Sequence, residues 1–480
     1  MCTEDRQMSD RVGRINEIDK IMSEEVSDTF CLAKWHHTTI YLHRGQTHSC
    51  YHPKPHDIPL DLLAKDPSVL HNTPEKIQER IDMFNGEQTK GCQYCWNVEN
   101  MEGDHVSDRH IRNSSIYTEE RMEEILYNPP EYRINPEYIE IAFSSECNFK
   151  CGYCHPMHSS SYYQEIKKHG PFTTVENHRN DIDWFEIYDE DSPYVEAWWK
   201  WWPEVSKTLN ILRITGGEPL LHKTTWKLFD ELLRDPKPNL EININTNLGY
   251  THRHMHRLVD YIERLRAGNC IKAFKMFTSM DTWGERAEYL RTGLDTDVWE
   301  KNQDIYVQGA KSHITTMVTF NILSVTSFTE FLKKMLEWRA KYEDVIPNDL
   351  GSDEFVRKIR FDTPYLKEPL QYDMQILPKE EFLHYFDKSL KFIKDNIVEE
   401  DRTKFSHLEY EKFKRVRDYF ASEHYPEDRI RKGRIDFYHW FKEIDSRRDT
   451  TFLDTFPEME DFMQLCKDTA QGEIKLVSVE

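Results

Sequence analysis

The sequence predicts an α/β protein whose core is a partial (β/α)6 barrel of the TIM-like kind. Six short β-rich runs follow one another between residues 136 and 370, and helix-length segments separate them. The runs are YIEIAFS (138–144), ILRIT (211–215), LEININT (240–246), KAFKMFTSM (272–280), HITTMVTFNIL (313–323) and VRKIRFDT (356–363). Strands that alternate with helices pair in parallel, so chemically important residues are expected where these strands end.

Three further regions flank the predicted barrel core, which spans residues 136–370. They are an N-terminal segment (1–24), a small cysteine-rich domain with many turn-forming residues (25–110) and a mostly helical C-terminal extension (371–480). The extension is dense in charged and aromatic side chains. The sequence therefore predicts a barrel with a small domain before it and helices after it.

Two segments outside the β-rich runs carry clear helix signals. Thr73 is a good N-cap, Pro74 suits the first helical position and Gly86 follows the end, so a helix is expected over 73–85. The aromatic run YVEAWWKWWPEV (194–205) lies between the first two β-rich runs. Such a run is more typical of a helix packed on the barrel than of a ligand site.

Composition limits the classes of function. The 480 residues carry a net charge of −22, from 63 basic and 85 acidic side chains, which disfavours general nucleic-acid binding. The polar N-terminus lacks the apolar core of a signal peptide, and no run reaches the roughly 20 apolar residues that span a bilayer. A cytoplasmic protein with no membrane partner is therefore expected. In that reducing compartment, clustered cysteines indicate metal rather than disulfides.

Seven of the ten cysteines fall into two close-spaced groups, of which the clearer is CNFKCGYC (147–154). A four-iron cubane needs one ligand per iron, so three thiols from one loop leave one iron open to a substrate. The alternative is a structural zinc loop completed by His155 or His158. The three remaining cysteines stand apart and are interpreted as structural or incidental: Cys2, Cys270 and Cys466.

The segment TGGEP (215–219) directly follows the second β-rich run. Gly216 and Gly217 allow the backbone to approach a ligand closely, and exposed backbone groups there can bind a charged amine or carboxylate. Glu218 supplies a negative charge that suits an ammonium group. Taken alone, Gly-Gly followed shortly by Pro219 is simply a turn, so its meaning comes from its position.

These two segments resemble the radical S-adenosylmethionine (SAM) superfamily. CNFKCGYC matches the signature CxxxCxΦC, with Tyr153 at the aromatic position, and GGEP (216–219) matches the motif for the methionyl amine of SAM. NINTN (243–247) and SMD (279–281) resemble the strand-end segments that touch the ribose, and EYLRTG (288–293) is similar to a segment whose arginine lies near the SAM carboxylate. The resemblance implies cluster ligands and SAM contacts as follows: Cys147, Cys151 and Cys154 for the cluster; Tyr153, Gly216, Gly217, Glu218, Pro219, Asn247, Ser279, Asp281 and Arg291 for SAM.

The resemblance also implies a chemistry. A reduced [4Fe–4S] cluster cleaves SAM to methionine and a 5′-deoxyadenosyl radical, which removes a hydrogen atom from the substrate. The substrate is expected to be a peptide or a small metabolite, and the electron donor a protein such as flavodoxin or ferredoxin. The acidic composition slightly favours a cationic or neutral substrate over a polyanion.

The second cysteine group precedes the barrel. Cys31, Gly45 and Cys50 form C-x13-G-x4-C, which resembles the opening of the SPASM and twitch auxiliary-cluster domains, and Cys92 and Cys95 can complete the site. Four thiolates would fully ligate a second [4Fe–4S] cluster. Those domains normally follow the barrel, so this one is in permuted order. A four-cysteine zinc site is the alternative.

Two other functions stay open from the sequence: a non-catalytic two-site zinc or iron–sulfur electron-transfer or binding protein, and a degenerate radical SAM fold that acts as a scaffold. No acid–base residue is identified. Tyr365 and Asp362 follow the last β-rich run and could face the barrel mouth. Arg447 and Arg448 offer a possible anion clamp, although a charged helical face is the preferred interpretation.

Overall fold

The computed structural model describes residues 3–101, 105–175, 187–345, 357–422 and 425–477. Cys2 lies outside these ranges. The chain forms two compact units. The first comprises Met1–Ser144, Glu186–Thr215 and Lys237–Ile242, and the second comprises Ser145–Phe185, Gly216–Pro236 and Asn243–Glu480.

The described residues contain both strands and helices throughout. The strands are β1 (His37–Tyr41), β2 (Gln46–His48), β3 (His56–Asp57), β4 (Tyr138–Ala142), β5 (Lys150–Cys151), β6 (Ile211–Thr215), β7 (Lys237–Thr246), β8 (Ile271–Ser279), β9 (Arg291–Thr292), β10 (Ile314–Met317) and β11 (Ile359–Asp362). The helices are α1 (Thr3–Glu25), α2 (Ala33–His36), α3 (Leu60–Leu63), α4 (Pro74–Phe84), α5 (Gln93–Glu99), α6 (Asp108–Ile116), α7 (Glu119–Tyr127), α8 (Ser160–His169), α9 (Pro193–Val205), α10 (Lys223–Arg234), α11 (His252–Ala267), α12 (Glu285–Leu290), α13 (Thr296–Gly309), α14 (Phe328–Lys341), α15 (Lys379–Asp395), α16 (His407–Ala421), α17 (Glu427–Arg448), α18 (Phe452–Thr455) and α19 (Glu460–Val477).

In the first unit, β1, β4 and β6 form a parallel sheet. β1 pairs with β4 and β4 pairs with β6, while β2 and β3 extend the sheet in antiparallel fashion. Alternate side chains of β4 and β6 are fully buried and apolar, such as Ile139, Ile141, Leu212 and Ile214. This period of two is what a half-buried strand requires, and it places the polar residues of these strands on the opposite face.

In the second unit, β8, β10 and β11 are parallel neighbours, and the end of β7 lies beside β8. Thr315 pairs with Phe277 on one side and with Arg360 on the other. A separate antiparallel pair joins β5 to β9, with Cys151 opposite Arg291. The chain is thus a mixed α/β protein with a large parallel sheet and many helices, which is consistent with the predicted TIM-like class. A partial barrel stays a prediction.

Several predicted elements are confirmed. The run ILRIT is a strand residue for residue, the run at 138 contains β4, the run at 240 lies within β7, and the run at 272 overlaps β8. The predicted helix is α4, and the hydroxyl of Thr73 accepts the amide hydrogen bond of Lys76 at 3.2 Å. The aromatic run forms α9, in which Trp198 and Trp201 are buried and Trp198 packs against Phe143.

Two predicted strands are at most half as long as their β-rich runs. β10 ends at Met317, and the apolar residues after it form a buried loop in which the side chain of Asn321 bonds the backbone of Thr319 and Leu323. A local side-chain bond of this kind competes with the sheet ladder. β11 begins at Ile359, and Val356 lies outside the described residues. In the described ranges, every helix is too short or too polar to cross a membrane.

Candidate functional site

The three-cysteine loop is held at its middle by backbone pairing in the second unit. Cys151 lies on β5, and the amide of Gly152 donates to the carbonyl of Leu290 at 3.0 Å. A Cβ on Gly152 would lie 1.9 Å from the hydroxyl of Tyr372, so glycine permits a close approach there. The amide of Cys154 donates to the carbonyl of Cys151 at 3.0 Å. The loop is therefore a tight turn with a fixed centre.

The thiols of this loop lie in a desolvated setting. Burial raises the pKa of Cys147, and the neighbouring thiol of Cys151 raises it further. Burial also raises the pKa of Cys151, while the guanidinium of Arg291 opposes that shift. A positive metal centre would reverse these shifts, because thiolates are the form that binds iron. The donor chemistry therefore fits an iron–sulfur cluster.

The turn after β6 packs directly on the backbone that precedes Cys147. Gly216 has a φ of 111°, a value that favours glycine. A Cβ on Gly217 would lie 2.2 Å from the carbonyl oxygen of Glu146 and 2.7 Å from the carbonyl carbon of Ser145. The amide of Glu218 donates to the same Glu146 oxygen at 2.7 Å. The two glycines thus bring the GGEP segment, with buried Pro219, against the cysteine loop.

Glu218 is fully buried, and its carboxylate joins this turn to the end of β7. One oxygen accepts from the hydroxyl of Thr246 at 2.8 Å and the other from the amide of Asn247 at 2.7 Å. Burial raises the pKa of Glu218 to about 7, and these hydrogen bonds oppose the rise. Asn247 donates to the side chain of Asn148 within the cysteine loop at 3.0 Å. The carboxylate therefore orders the residues that surround Cys147.

Asp281 and Arg291 form a buried ion pair beside the loop. Arg291 donates twice to the Asp281 carboxylate, at 2.8 Å each, and its remaining terminal nitrogen lies 3.9 Å from the sulfur of Cys151. The carboxylate also accepts from the hydroxyl of Tyr153 at 2.7 Å and from the amide of Thr319 at 2.9 Å. The roles predicted for these residues on SAM stay predictions, as does that of Ser279 at the end of β8.

A second buried ion pair clamps the loop to the C-terminal helices. Arg448 donates to both oxygens of Glu165, at 2.8 and 3.1 Å, and to the hydroxyl of Thr292 at 2.9 Å. Lys150 donates to Glu165 at 2.9 Å. The side chains of Arg447 and Arg448 on α17 are only 4% and 1% exposed, so the charged helical face that they form is buried. Helix contacts over a long sequence separation bury them.

The four other cysteines share one cavity in the first unit. Its lining is made of thiols, charged side chains and a few others: Cys31, Cys50, Cys92, Cys95, Ala33, Lys34, Ser49, Tyr51, His52, Asp108, Arg109 and Arg112. Gly45 has a φ of 62°, and a Cβ there would lie 2.2 Å from the ring of Tyr194, which explains the glycine in C-x13-G-x4-C.

Burial raises the pKa of Cys31 and Cys50, and it raises the pKa of Cys95 to about 11. Four thiols converging on one cavity fit an anionic metal centre by donor chemistry. Over the described ranges, no three His, Cys, Asp or Glu side chains are spaced for a single metal ion. A cubane is larger than an ion and takes each thiolate on a different iron.

The structure thus brings Cys147, Cys151, Asn247 and Arg291 together and gathers the four other cysteines into one cavity. The sequence did not indicate the charged residues Lys34, Arg109 and Glu165 around these sites, and it indicated Arg448 without its partner. No local pattern could have revealed them, because their partners lie far away along the chain.

Comparison with known proteins shows similarity to several curated enzymes. A protein of Nautilia profundicola is 29% identical over 124 residues, one of Campylobacter curvus 28% over 150, and one of Sulfurovum sp. 26% over 111. All three are named GTP 3′,8-cyclase. No protein-family model matches the chain. These similarities support the radical SAM superfamily.

The similarity is confined to part of each protein. The matched segments make up 26%, 31% and 23% of this chain, and they cover 31%, 36% and 27% of the relatives. The chain therefore spans about a third of the length of the curated relatives it matches.

Proposed function

We propose that this protein is a radical SAM enzyme that removes a hydrogen atom from a peptide or a small metabolite. The observation that carries the proposal is the packing of the GGEP turn on the three-cysteine loop. Gly217 lies directly against the Glu146 backbone, immediately before Cys147. The two motifs of the resemblance are at least 62 residues apart in the sequence. Nevertheless, the amide of Glu218 in one motif donates to the carbonyl of Glu146, which directly precedes the other.

In this proposal Cys147, Cys151 and Cys154 hold a [4Fe–4S] cluster with one open iron. A cluster and SAM, when bound, supply a 5′-deoxyadenosyl radical. The residues of this chain orient and shield the site: the Asp281–Arg291 pair keeps a positive charge beside Cys151, and buried Glu218 fixes Asn247. Cys151 is buried, whereas Cys147 and Cys154 are half-buried, so the chain shields part of the loop from water.

We further propose that residues 25–110, which belong to the first unit, form a twitch-like domain in permuted order. Cys31, Cys50, Cys92 and Cys95 would hold an auxiliary [4Fe–4S] cluster with no open iron. Support comes from their common cavity and from the glycine packed beneath Tyr194. A protein electron donor such as flavodoxin or ferredoxin would reduce the enzyme in the cytoplasm.

The name of the matched relatives provides a first substrate to test. GTP is a small metabolite, so it falls within the proposed substrate class. Incubation of the reduced enzyme with SAM and GTP, with a short peptide library in parallel, distinguishes the two branches of that class. Consumption of GTP together with formation of 5′-deoxyadenosine would indicate that the substrate is a nucleotide.

Anaerobic reconstitution tests the reaction class itself. We expect about eight irons per chain and conversion of SAM to 5′-deoxyadenosine on reduction. The Cys147→Ala/Cys151→Ala/Cys154→Ala variant should keep about four irons and lose SAM cleavage. The Cys270→Ala variant is a matched control, because its thiol is buried at the start of β8. Zinc in place of iron, or no 5′-deoxyadenosine, would contradict the proposal.

A further inference from the structure

Four buried cations lie beside the four-cysteine cavity of the first unit. This cation layer consists of Lys34, Lys76, Arg80 and Arg109, whose residues are 0 to 5% exposed. Lys34 and Arg109 line the cavity itself. Arg80 donates to the backbone carbonyl of Lys34 at 3.0 Å, so it directly supports that part of the lining. Buried charges of one sign destabilise the folded state unless counter-charges lie nearby.

Lys34 is paired, and its pair joins two cysteine segments. Its ammonium lies 2.5 Å from the carboxylate of Glu79. A Cβ on Gly91 would lie 2.2 Å from the same carboxylate, so Glu79 sits against the backbone next to Cys92. Lys34 itself follows Cys31 by three residues. The ion pair therefore holds these two ligand segments together.

Arg109 makes a similar connection from α6. It donates to the carbonyl of Phe30 at 3.0 Å, directly before Cys31. It also donates to both oxygens of Glu99 at 3.0 Å, at the end of the helix that carries Cys95. Arg109 therefore fixes the spacing between two of the ligand segments.

Arg80 and Lys76 differ from these two cations. Arg80 contacts only neutral groups: it donates to the Lys34 carbonyl and the Asn72 side chain, and one of its terminal nitrogens lies 2.8 Å from Nε2 of His71. Lys76 donates to the hydroxyls of Thr38 and Thr47. Neither cation lies within 4.0 Å of a carboxylate in the part of the chain that the structure describes. A guanidinium stays protonated near neutral pH, so Arg80 is a buried positive charge without an ionic partner there.

We propose that the cation layer is the counter-charge of an anionic four-thiolate metal centre in this cavity, an inference that rests on the auxiliary cluster of the proposed function. Protonated thiols carry no charge, whereas an iron–sulfur cluster with four thiolates carries a net negative charge. Arg80 and Lys34 are therefore positioning residues that stabilise the loaded site. Net charge near a cluster also sets its reduction potential, so the layer makes this cluster easier to reduce.

The electrostatic trend of Lys34 agrees with this assignment. Burial alone would lower the pKa of Lys34, yet Cys92 and Glu79 hold it above its usual value. Burial lowers the pKa of Lys76 and of Arg80, which have no carboxylate within 4.0 Å in the described ranges. An anionic centre in the cavity would stabilise the charged forms of both.

A redox titration tests the charge effect. The Cys147→Ala/Cys151→Ala/Cys154→Ala background leaves only the auxiliary cluster to observe. In that background, Lys34→Met and Arg80→Met should each lower the reduced-to-oxidised ratio at a fixed ambient potential about tenfold, a shift of about 59 mV for one electron. Lys34→Arg should restore the parental value. Arg112→Met is the matched control, because Arg112 lines the same cavity but is only half-buried.

A stability cycle tests the counter-charge without redox chemistry. Arg80→Met is measured in the metal-loaded parent and in a Cys31→Ser/Cys50→Ser/Cys92→Ser/Cys95→Ser background. The substitution should lower the unfolding midpoint of the metal-loaded protein. In the four-serine background it should lower the midpoint less, or raise it. Failure to fold only in the loaded background is the extreme form of this coupling. If Arg80→Met folds in neither background, the Lys34→Met potential decides.

The outcomes separate this inference from the proposed function. The counter-charge assignment would be wrong if Arg80→Met lowered the unfolding midpoint equally in both backgrounds, or if Lys34→Met kept the parental reduction potential. The iron content of the protein would still support the cluster in that case. Zinc in the wild-type cavity would overturn the auxiliary cluster instead. A zinc–thiolate centre is also anionic, so the stability cycle would then decide the inference alone.

Discussion

The two cysteine sites differ in the charges that surround them. Beside the three-cysteine loop, each buried guanidinium has a carboxylate partner: Arg291 pairs with Asp281, and Arg448 pairs with Glu165. Beside the four-cysteine cavity, Arg80 has only neutral partners within the described ranges. The first setting is therefore close to neutral, whereas the second is positive. In the proposed function, the site that would bind SAM is held by paired charges, whereas the auxiliary site has an excess of positive charge around it.

The largest expected loss of stability comes from breaking a buried ion pair. Asp281→Asn leaves Arg291 buried beside Cys151 without its carboxylate, which should cost about 3–5 kcal/mol of the free energy of unfolding. Denaturant titration measures this loss. The control is Asp260→Asn, which breaks an exposed pair with Arg264 and should cost less than about 1 kcal/mol. Equal losses would show that burial of the pair does not matter.

Glu218 provides a pH test of the same site. Its pKa is raised from 4.5 to about 7 by burial, so the folded state binds a proton more tightly than the unfolded state does. Its contribution to stability is present below pH 4.5 and is lost as the pH rises to about 7. The wild type should therefore lose about 3 kcal/mol relative to Glu218→Gln over that interval. Parallel stability curves for the two proteins would refute a buried, weakly acidic carboxyl.

Gly217 tests the contact on which the proposed function depends. Gly217→Ala places a methyl group against the Glu146 backbone and should cost about 1–3 kcal/mol of unfolding free energy. SAM binding, measured by equilibrium dialysis on the reconstituted protein, should weaken as well. Gly472→Ala in α19 is the control, because a Cβ there meets nothing within 4 Å. Normal SAM binding by Gly217→Ala would separate the turn from the site.

The smallest expected effect lies in the first unit. Thr73 caps α4, the helix that carries Lys76, Glu79 and Arg80. Thr73→Ala should cost about 1 kcal/mol of unfolding free energy, while Thr73→Ser keeps the cap and should stay near wild type. A shift in the auxiliary reduction potential with Thr73→Ala would show that the orientation of α4 also tunes the cluster.

Local patterns explain which elements were predictable. ILRIT is β-branched and leads into a glycine turn, so its bounds followed from the sequence. β1, HTTIY, was not predicted, because it lies among histidines in a turn-rich segment and its partner β4 is about a hundred residues away. The buried loop after Met317 is as apolar as a strand, so the sequence predicts a longer β10 than the structure contains.

The candidate sites likewise contain some residues that a local pattern predicts and others that only tertiary packing brings together. Spacing and resemblance predicted all seven cysteines as ligands, because CNFKCGYC and CQYC each bring thiols close together along the chain. The ion pairs around them were not predictable, because Glu165 and Arg448 are 283 positions apart and Lys34 and Glu79 are 45 apart. Pairs of this kind are created by tertiary packing, and no local period signals them.

Electron paramagnetic resonance of one variant tests the central claim most directly. In the Cys31→Ser/Cys50→Ser/Cys92→Ser/Cys95→Ser protein, only the cluster on Cys147, Cys151 and Cys154 should remain. We predict a reduced [4Fe–4S] signal that changes when SAM is added, because the open iron takes the methionyl group as a ligand. A reduced signal that SAM leaves unchanged, or no iron–sulfur signal at all, would contradict a SAM-cleaving centre at this loop.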